Sequence, residues 1–164
     1  MGKVLVVMGS DSDFPVMEGC FKMLKKFNIG FDAVVCSAHR TPDKAFKIAK
    51  EARSNGYSII IAAAGLAAHL GGVLAANTVL PVIGVPLSGS VLDGTDALYS
   101  IVQMPPGIPV ATVAINGAKN AAWLALEIMA IKHEDIHQRL LIERKNMAEA
   151  AAKANAEVIA KFEN

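Results

Sequence analysis

The sequence predicts an α/β protein: a three-layer, doubly wound parallel sheet of flavodoxin-like order, with a long C-terminal helix. Three observations lead there. Short apolar runs recur five times along the chain, each of strand length. Between them stand segments whose apolar residues return every three or four positions, as in a helix with one buried face. The turns joining the two kinds of segment are short and rich in Gly, Asn, Ser and Asp. Strands alternating with helices in this way build parallel sheets covered on both sides. A Rossmann half is the alternative order.

Residues 3–8 are a β-branched run and form the first strand. The helix over 14–27 carries Phe14, Met17, Phe21, Leu24 and Phe27 on one stripe and ends at Asn28-Ile29-Gly30. Residues 31–37 form the second strand and 42–54 the second helix, stopped by Asn55-Gly56. Thr41 is placed to cap that helix, with Pro42 at its first position, where a missing N–H costs nothing. Residues 59–63 are an uninterrupted apolar run, as expected of a strand covered on both faces. A small-residue helix follows over 66–77, then a strand over 81–85, a helix over 94–103, a strand over 110–115 and a helix over 118–133. The tail, 134–162, reads as one helix about 40 Å long at 1.5 Å per residue. Its positions Leu140, Met147, Ala151, Ala154 and Val158, broken by Arg144, recur every three or four residues and predict an oligomerisation arm. With no internal repeat, low-complexity tract or linker, residues 1–164 are expected to form a single domain.

Composition narrows the function classes. Hydrophobic residues make up 53% of the chain and charged residues 19%. A soluble monomer carries more charge than that, so apolar surface is expected to lie against other subunits. A net charge of +1 with no run of one sign points to no nucleic acid and no anionic membrane. The stretch 57–76 lacks Asp, Glu, Lys and Arg, but Gly65, Gly71 and Gly72 interrupt it. It divides into a strand and a buried helix, so no membrane span is expected. The apolar run 4–8 is too short for a signal peptide, and Cys20 and Cys36 read as free thiols in a reducing compartment. Both point to the cytoplasm.

The polar residues gather at the carboxyl ends of the strands, where open α/β sheets bind ligands. After the second strand, Ser37-Ala38-His39-Arg40 sets an imidazole beside a guanidinium. The first can move a proton and the second can hold an anion through its planar fork. After the first strand, Gly9-Ser10-Asp11-Ser12-Asp13 offers hydroxyls beside free helix N–H groups, a seat for phosphate, with Asp13 able to accept from a ribose hydroxyl. The same cluster serves equally as a plain helix cap. After the third strand, the small residues of Ala64-Gly65-Leu66-Ala67-Ala68-His69-Leu70-Gly71-Gly72 let the backbone approach a planar ligand, and His69 stands at the same edge as His39. A lone His in an apolar helix is also a common core residue. After the fourth strand, Pro86-Leu87-Ser88-Gly89-Ser90 is a candidate lid. A phosphorylated small molecule fits this set. The chain has no G-x-G-x-x-G and no Walker motif, so neither a dinucleotide nor ATP is indicated. His133-Glu134-Asp135-Ile136-His137 matches H-E-x-x-H, yet no third His follows and Glu134 and Asp135 stand as first-turn acids of a helix. No metal site is expected.

With those residues in hand, the chain resembles the PurE family of purine biosynthesis over nearly its whole length. The matching segments are Met8-Gly9-Ser10-Asp11-Ser12-Asp13, Ser37-Ala38-His39-Arg40-Thr41-Pro42, Ala67-Ala68-His69-Leu70, Pro81-Val82-Ile83-Gly84-Val85-Pro86 and Tyr99-Ser100-Ile101-Val102-Gln103-Met104-Pro105. The wording of the second and third segments is similar to the mutase class. The resemblance implies transfer of a carboxylate within an aminoimidazole ribonucleotide, without cofactor or metal. It implies His39 as general acid/base and a substrate held by Ser10, Ser12, Asp13, Ser37, Ala38, Arg40, Gly65, Ala67, His69 and Leu70. It also implies a homo-octamer with sites at subunit borders. The alternative class, a carboxylase using free carbon dioxide, has Lys where Arg40 stands. A flavin- or nucleotide-binding module and a non-catalytic scaffold are the competing readings outside the family. Two departures are visible: Gly71 stands where the family usually has Pro, and Leu66 where a second Gly is common.

Overall fold

The computed structural model describes residues 2–162. Among them, five strands form one parallel sheet in the order β2-β1-β3-β4-β5. They are β1 Lys3–Met8, β2 Phe31–Val35, β3 Tyr57–Gly65, β4 Val82–Leu87 and β5 Ala111–Thr112. The chain starts in the sheet, adds β2 on one side, then crosses to place β3 on the other. That reversal opens a crevice at the carboxyl ends of β1 and β3. The order is the flavodoxin-like one, not that of a Rossmann half.

Period-two alternation sorts the strand side chains onto two covered faces. Leu5, Val7, Ile60, Ala62 and Val82 join one buried cluster with Ala45 and Ala49 of α2 (Pro42–Glu51), Leu70 and Leu74 of α3 (Leu70–Ala75), and Ala97 and Ile101 of α4 (Thr95–Val102). The intervening Val4, Val6, Ile59, Ile61 and Ile83 are fully buried on the opposite face. That side carries α1 (Phe14–Lys26), whose Met17, Cys20 and Leu24 are inaccessible to solvent. Phe27 meets Trp123, in the first half of α5 (Ala118–Ala130), edge-on with ring centroids 6.1 Å apart. Alanine and glycine are used where backbones must approach closely, as at Gly84 beneath Ile101.

The two edges of the sheet differ in how they are engaged. On β2, Asp32 accepts from Lys3 Nζ and from Tyr57 O–H, each at 2.7 Å, and Lys44 Nζ donates to the Val35 carbonyl at 2.8 Å. On the other edge, β5 has only two residues.

The chain divides into two compact units after Ala125. The second contains the end of α5 and the helix α6 (Glu134–Ile159). With 26 residues, α6 is about 39 Å long. Arg144 Nη2 donates to Glu127 Oε1 at 3.0 Å, and Lys145–Glu149 and Lys153–Glu157 pair one turn apart along the helix. Ile136 and Leu140 are buried, while Leu141, Ile142, Met147, Val158 and Ile159 remain about half exposed.

Several boundaries differ from the sequence expectation, each for a local reason. The helix expected over 66–77 shrinks to Leu70–Ala75, because β3 continues to Gly65 and Leu66 then adopts φ +55°. The strand expected over 110–115 is regular only at Ala111 and Thr112. After it, Val113 and Asn116 N–H still donate to the Gly84 and Pro86 carbonyls of β4, in an irregular run that ends at Asn116, φ +57°. The last helix ends at Ile159 instead of 162. Thr41 does precede α2, and Pro42 opens it, but the Thr41 hydroxyl caps nothing. It donates instead to the Ser37 carbonyl at 2.8 Å. No helix among the described residues is long and apolar enough to cross a membrane.

Candidate active site

Each strand-end loop is shaped by its own short-range hydrogen bonds. After β1, Ser10 opens a 3-10 turn over Asp11–Asp13 with reciprocal capping. Ser12 N–H donates to Ser10 Oγ at 3.3 Å, while Ser10 N–H donates to Asp13 Oδ2 at 2.9 Å. The Ser12 hydroxyl donates to Ser10 Oγ at 2.9 Å. Burial pushes the Asp13 carboxyl above its ordinary pKa, against the backbone bonds that favour its charge. The sequence left this cluster open between a helix cap and a phosphate seat. The capping is real, and it arranges both hydroxyls at the rim of a cavity.

After β2, the loop 37–41 is folded back on Ser37. Its carbonyl accepts from Thr41 N–H at 2.9 Å and from the Thr41 hydroxyl, and its Oγ accepts from Arg40 N–H at 3.2 Å. The turn so formed carries His39 and Arg40 outward. After β3, Leu66 in the left-handed region is followed by Ala67, Ala68 and His69 before α3 begins. A residue with a side chain is strained there by about 1 kcal/mol, which is why glycine suits the position. Gly71 lies in the first turn of α3, where an added Cβ would meet Val110 Cγ1 at 3.6 Å, an ordinary contact.

The two loops meet through their histidines. His39 Nε2 and His69 Nδ1 stand 2.8 Å apart, with the rings edge-on at 86°. One facing nitrogen must carry a hydrogen and the other a lone pair, so the contact holds a single transferable proton. The sequence placed the two histidines at one edge. Their direct bond, across 30 positions, carries no sequence signal.

A cavity of about 690 Å³ opens at this edge. Its walls include every predicted site residue: Ser10, Ser12, Asp13, Ser37, Ala38, His39, Arg40, Gly65, Ala67, His69 and Leu70. It also includes Val16 and Leu66, together with Leu87, Ser88 and Gly89 from the end of β4. Ser88 was expected only as part of a lid, and nothing in the sequence singled out Val16. The His pair also borders a second hollow of about 410 Å³, lined in part by Ser100 and Met104. No group of three or more His, Cys, Asp or Glu among the described residues is arranged to hold a metal ion. His133 sits ahead of α6 with extended backbone, and Glu134 accepts from Gln138, so the H-E-x-x-H string belongs to a helix start.

Comparison with known proteins gives a consistent set of relatives. The family model described as AIR carboxylase matches residues 3–150. An N5-carboxyaminoimidazole ribonucleotide mutase of Pyrococcus abyssi is 56% identical over 147 residues, spanning 90% of this chain and 84% of that protein. A phosphoribosylaminoimidazole carboxylase of Ogataea methanolica is 62% identical over 125 residues, spanning 76% of this chain but 23% of that longer protein. The crystal structure of Treponema denticola PurE superposes with a TM-score of 0.86 at 28% identity, covering 94% of this chain and 96% of the other.

Proposed function

We propose, from the premise that this chain belongs to the AIR carboxylase family, that it is a mutase. It moves the carboxylate of 5-(carboxyamino)imidazole ribonucleotide from the exocyclic nitrogen to ring C4, giving 4-carboxy-5-aminoimidazole ribonucleotide for purine biosynthesis. One observation carries the reading: the His39 imidazole shares a single cavity with the Ser10–Ser12 turn, the Arg40 cation and a wall of small residues.

The roles follow from the chemistry of each group. Ser10, Ser12, Ser37 and Arg40 hold the ribose phosphate, and Asp13, already aligned by Ser10 N–H, accepts from the sugar hydroxyls. Gly65 and Ala67 let the flat heterocycle lie against backbone, and Leu70 walls it with Ala38 beside them. His39 gives a proton to the exocyclic nitrogen as the carbamate C–N bond breaks and carbon dioxide leaves. C4 then attacks the retained carbon dioxide, and His39 takes the C4 proton to restore aromaticity. One proton goes in and one comes out, so the imidazole ends as it began. General acid–base catalysis of this kind contributes ~10²–10⁴-fold. His69 orients the His39 ring through the contact between His39 Nε2 and His69 Nδ1. Carbon dioxide needs a small dry space, which Ala64, Gly65 and Ala67 provide.

Half-exposed apolar side chains on α2, α4 and α6, among them Phe46, Tyr99, Val102 and Ile142, support association into an octamer whose neighbours close the sites. Residues 1–164 act as one functional domain in the cytoplasm, where Cys20 and Cys36 stay reduced.

The test is turnover of the carboxyamino nucleotide without added bicarbonate or metal. Wild type converts it, while His39→Asn binds the nucleotide and loses turnover by ~10²-fold or more. Substantial turnover by His39→Asn defeats the assignment. A forward reaction that proceeds only from aminoimidazole ribonucleotide and bicarbonate selects the carboxylase instead.

A further inference from the structure

We propose that Asn116 is a positioning residue that turns the Ser88 hydroxyl into a hydrogen-bond donor toward the heterocycle end of the substrate. The inference rests on the mutase reading of the cavity and adds two residues to it. Ser88 lines the cavity beside Gly89, while Asn116 lies outside its walls, 28 positions away on the loop after β5.

The geometry leaves little choice of hydrogen positions. Ser88 N–H donates to Asn116 Oδ1 at 3.0 Å, which fixes which end of the carboxamide is oxygen. The amide nitrogen must then face the hydroxyl, and Nδ2 donates to Ser88 Oγ at 2.7 Å. With its oxygen occupied as an acceptor, the hydroxyl keeps its own hydrogen for another partner. Asn116 is itself held, because its N–H donates to the Pro86 carbonyl at 2.8 Å. Its φ of +57° is one that asparagine tolerates better than most residues. From the other side Ser88 is backed by Gly94, where φ is +87° and an added Cβ would lie 3.2 Å from the Ser88 backbone. Gly89, at φ +123°, makes the turn that follows Ser88. Ser88 is thus clamped on two sides in a loop otherwise exposed.

Sheet order says which part of the ligand it meets. The Ser10–Ser12 turn follows β1 and Ser88 follows β4, with β3 between them. Two strand spacings put the loops roughly 10 Å apart. A nucleotide whose phosphate sits on the first loop therefore presents its heterocycle and carboxylate to Ser88. A donor there matches a carboxylate oxygen.

The experiment compares Ser88→Ala, Asn116→Gly, Asn116→Asp and the Ser88→Ala/Asn116→Gly double variant. The readouts are kcat and KM for the carboxyamino nucleotide and the inhibition constant of ribose 5-phosphate, which has no heterocycle. Asn116→Gly keeps the φ the turn needs while deleting the carboxamide. Asn116→Asp keeps an acceptor for Ser88 N–H, but its second oxygen captures the hydroxyl proton. Each single variant should lower kcat/KM about tenfold, the scale of one hydrogen bond to a charged group. The double variant should be no worse than the weaker single, and ribose 5-phosphate should bind all of them equally. Wild-type kcat/KM in the variants, additive losses in the double variant, or equal weakening of ribose 5-phosphate overturns the assignment while the mutase reading stands. If wild type itself does not turn over the nucleotide, both fall.

Discussion

Replacing Gly84 by alanine tests the packing that holds the catalytic edge in place. Gly84 lies inside β4, paired with Ala62 on β3 and Thr112 on β5. A Cβ added there would overlap Ile101 Cγ2 and lie 2.9 Å from Val110 Cγ1. Apolar carbons normally stand about 3.5–4.0 Å apart, so Ile101 must retreat by more than ~1 Å. It cannot do so by changing rotamer, since a β-branched residue in a helix has one strongly preferred χ1. Either α4 lifts or β4 bows. Overpacking of this kind costs about 1–3 kcal/mol, against a gain of roughly 0.5–1 kcal/mol from replacing a strand glycine. The net expectation is about 1–2 kcal/mol of lost stability, or a Tm lower by roughly 2–8 °C for a chain of this size. Urea unfolding followed by far-ultraviolet circular dichroism reads it as a lower midpoint at constant m-value, with protomer concentration held fixed. Ile101→Leu, which moves the branch away from Cβ, should restore part of the loss in the double variant. Full stability of Gly84→Ala, or a double variant no better than the sum of its parts, would refute this account of the core.

Two further expectations concern titrating groups. The Lys3 ammonium, and then the Tyr57 hydroxyl, hold the Asp32 carboxyl below its ordinary pKa. A carboxylate depressed in the folded state adds stability above its unfolded pKa of about 3.9, and that stability disappears as pH falls through the folded value. Lys3→Met should therefore raise the Asp32 midpoint in a carboxyl-carbon NMR titration and weaken the acid dependence of unfolding below about pH 4. An unchanged midpoint would show that the contact is not formed in solution. Burial pushes the Cys20 thiol up to about 12, so it stays neutral and unreactive. Iodoacetamide at pH 8 should modify Cys20 only at the rate at which the protein unfolds, and rapid labelling of the native protein would count against that burial.

What the sequence disclosed, and what it hid, follows from the range of each interaction. The strands were legible because Val4–Val7 and Ile59–Ile61 are apolar runs that only a doubly covered sheet can bury. The cavity residues were legible because Ser10, Asp13, His39 and Arg40 each sit just past a strand, at the edge where open α/β sheets bind ligands. Missing were features decided by partners distant along the chain. The helix expected from 66 failed to start there because β3 keeps pairing with β4 as far as Gly65 and Leu87. Thr41 is the local exception, since two nearby partners competed and its hydroxyl took the Ser37 carbonyl four residues back. The His39–His69 and Ser88–Asn116 bonds join loops that only the strand order brings together.

The blunted borders of the sheet also decide how copies of this chain can meet. One border carries a lysine seated on a main-chain carbonyl, beside a carboxylate tied back to the two strands next to it. The opposite border is two residues long, too brief to template another strand. A charged side chain on one border and brevity on the other both work against backbone-to-backbone annealing, and so against the slide toward fibrils that open borders invite. Assembly that relies on side chains instead is one that single substitutions can tune.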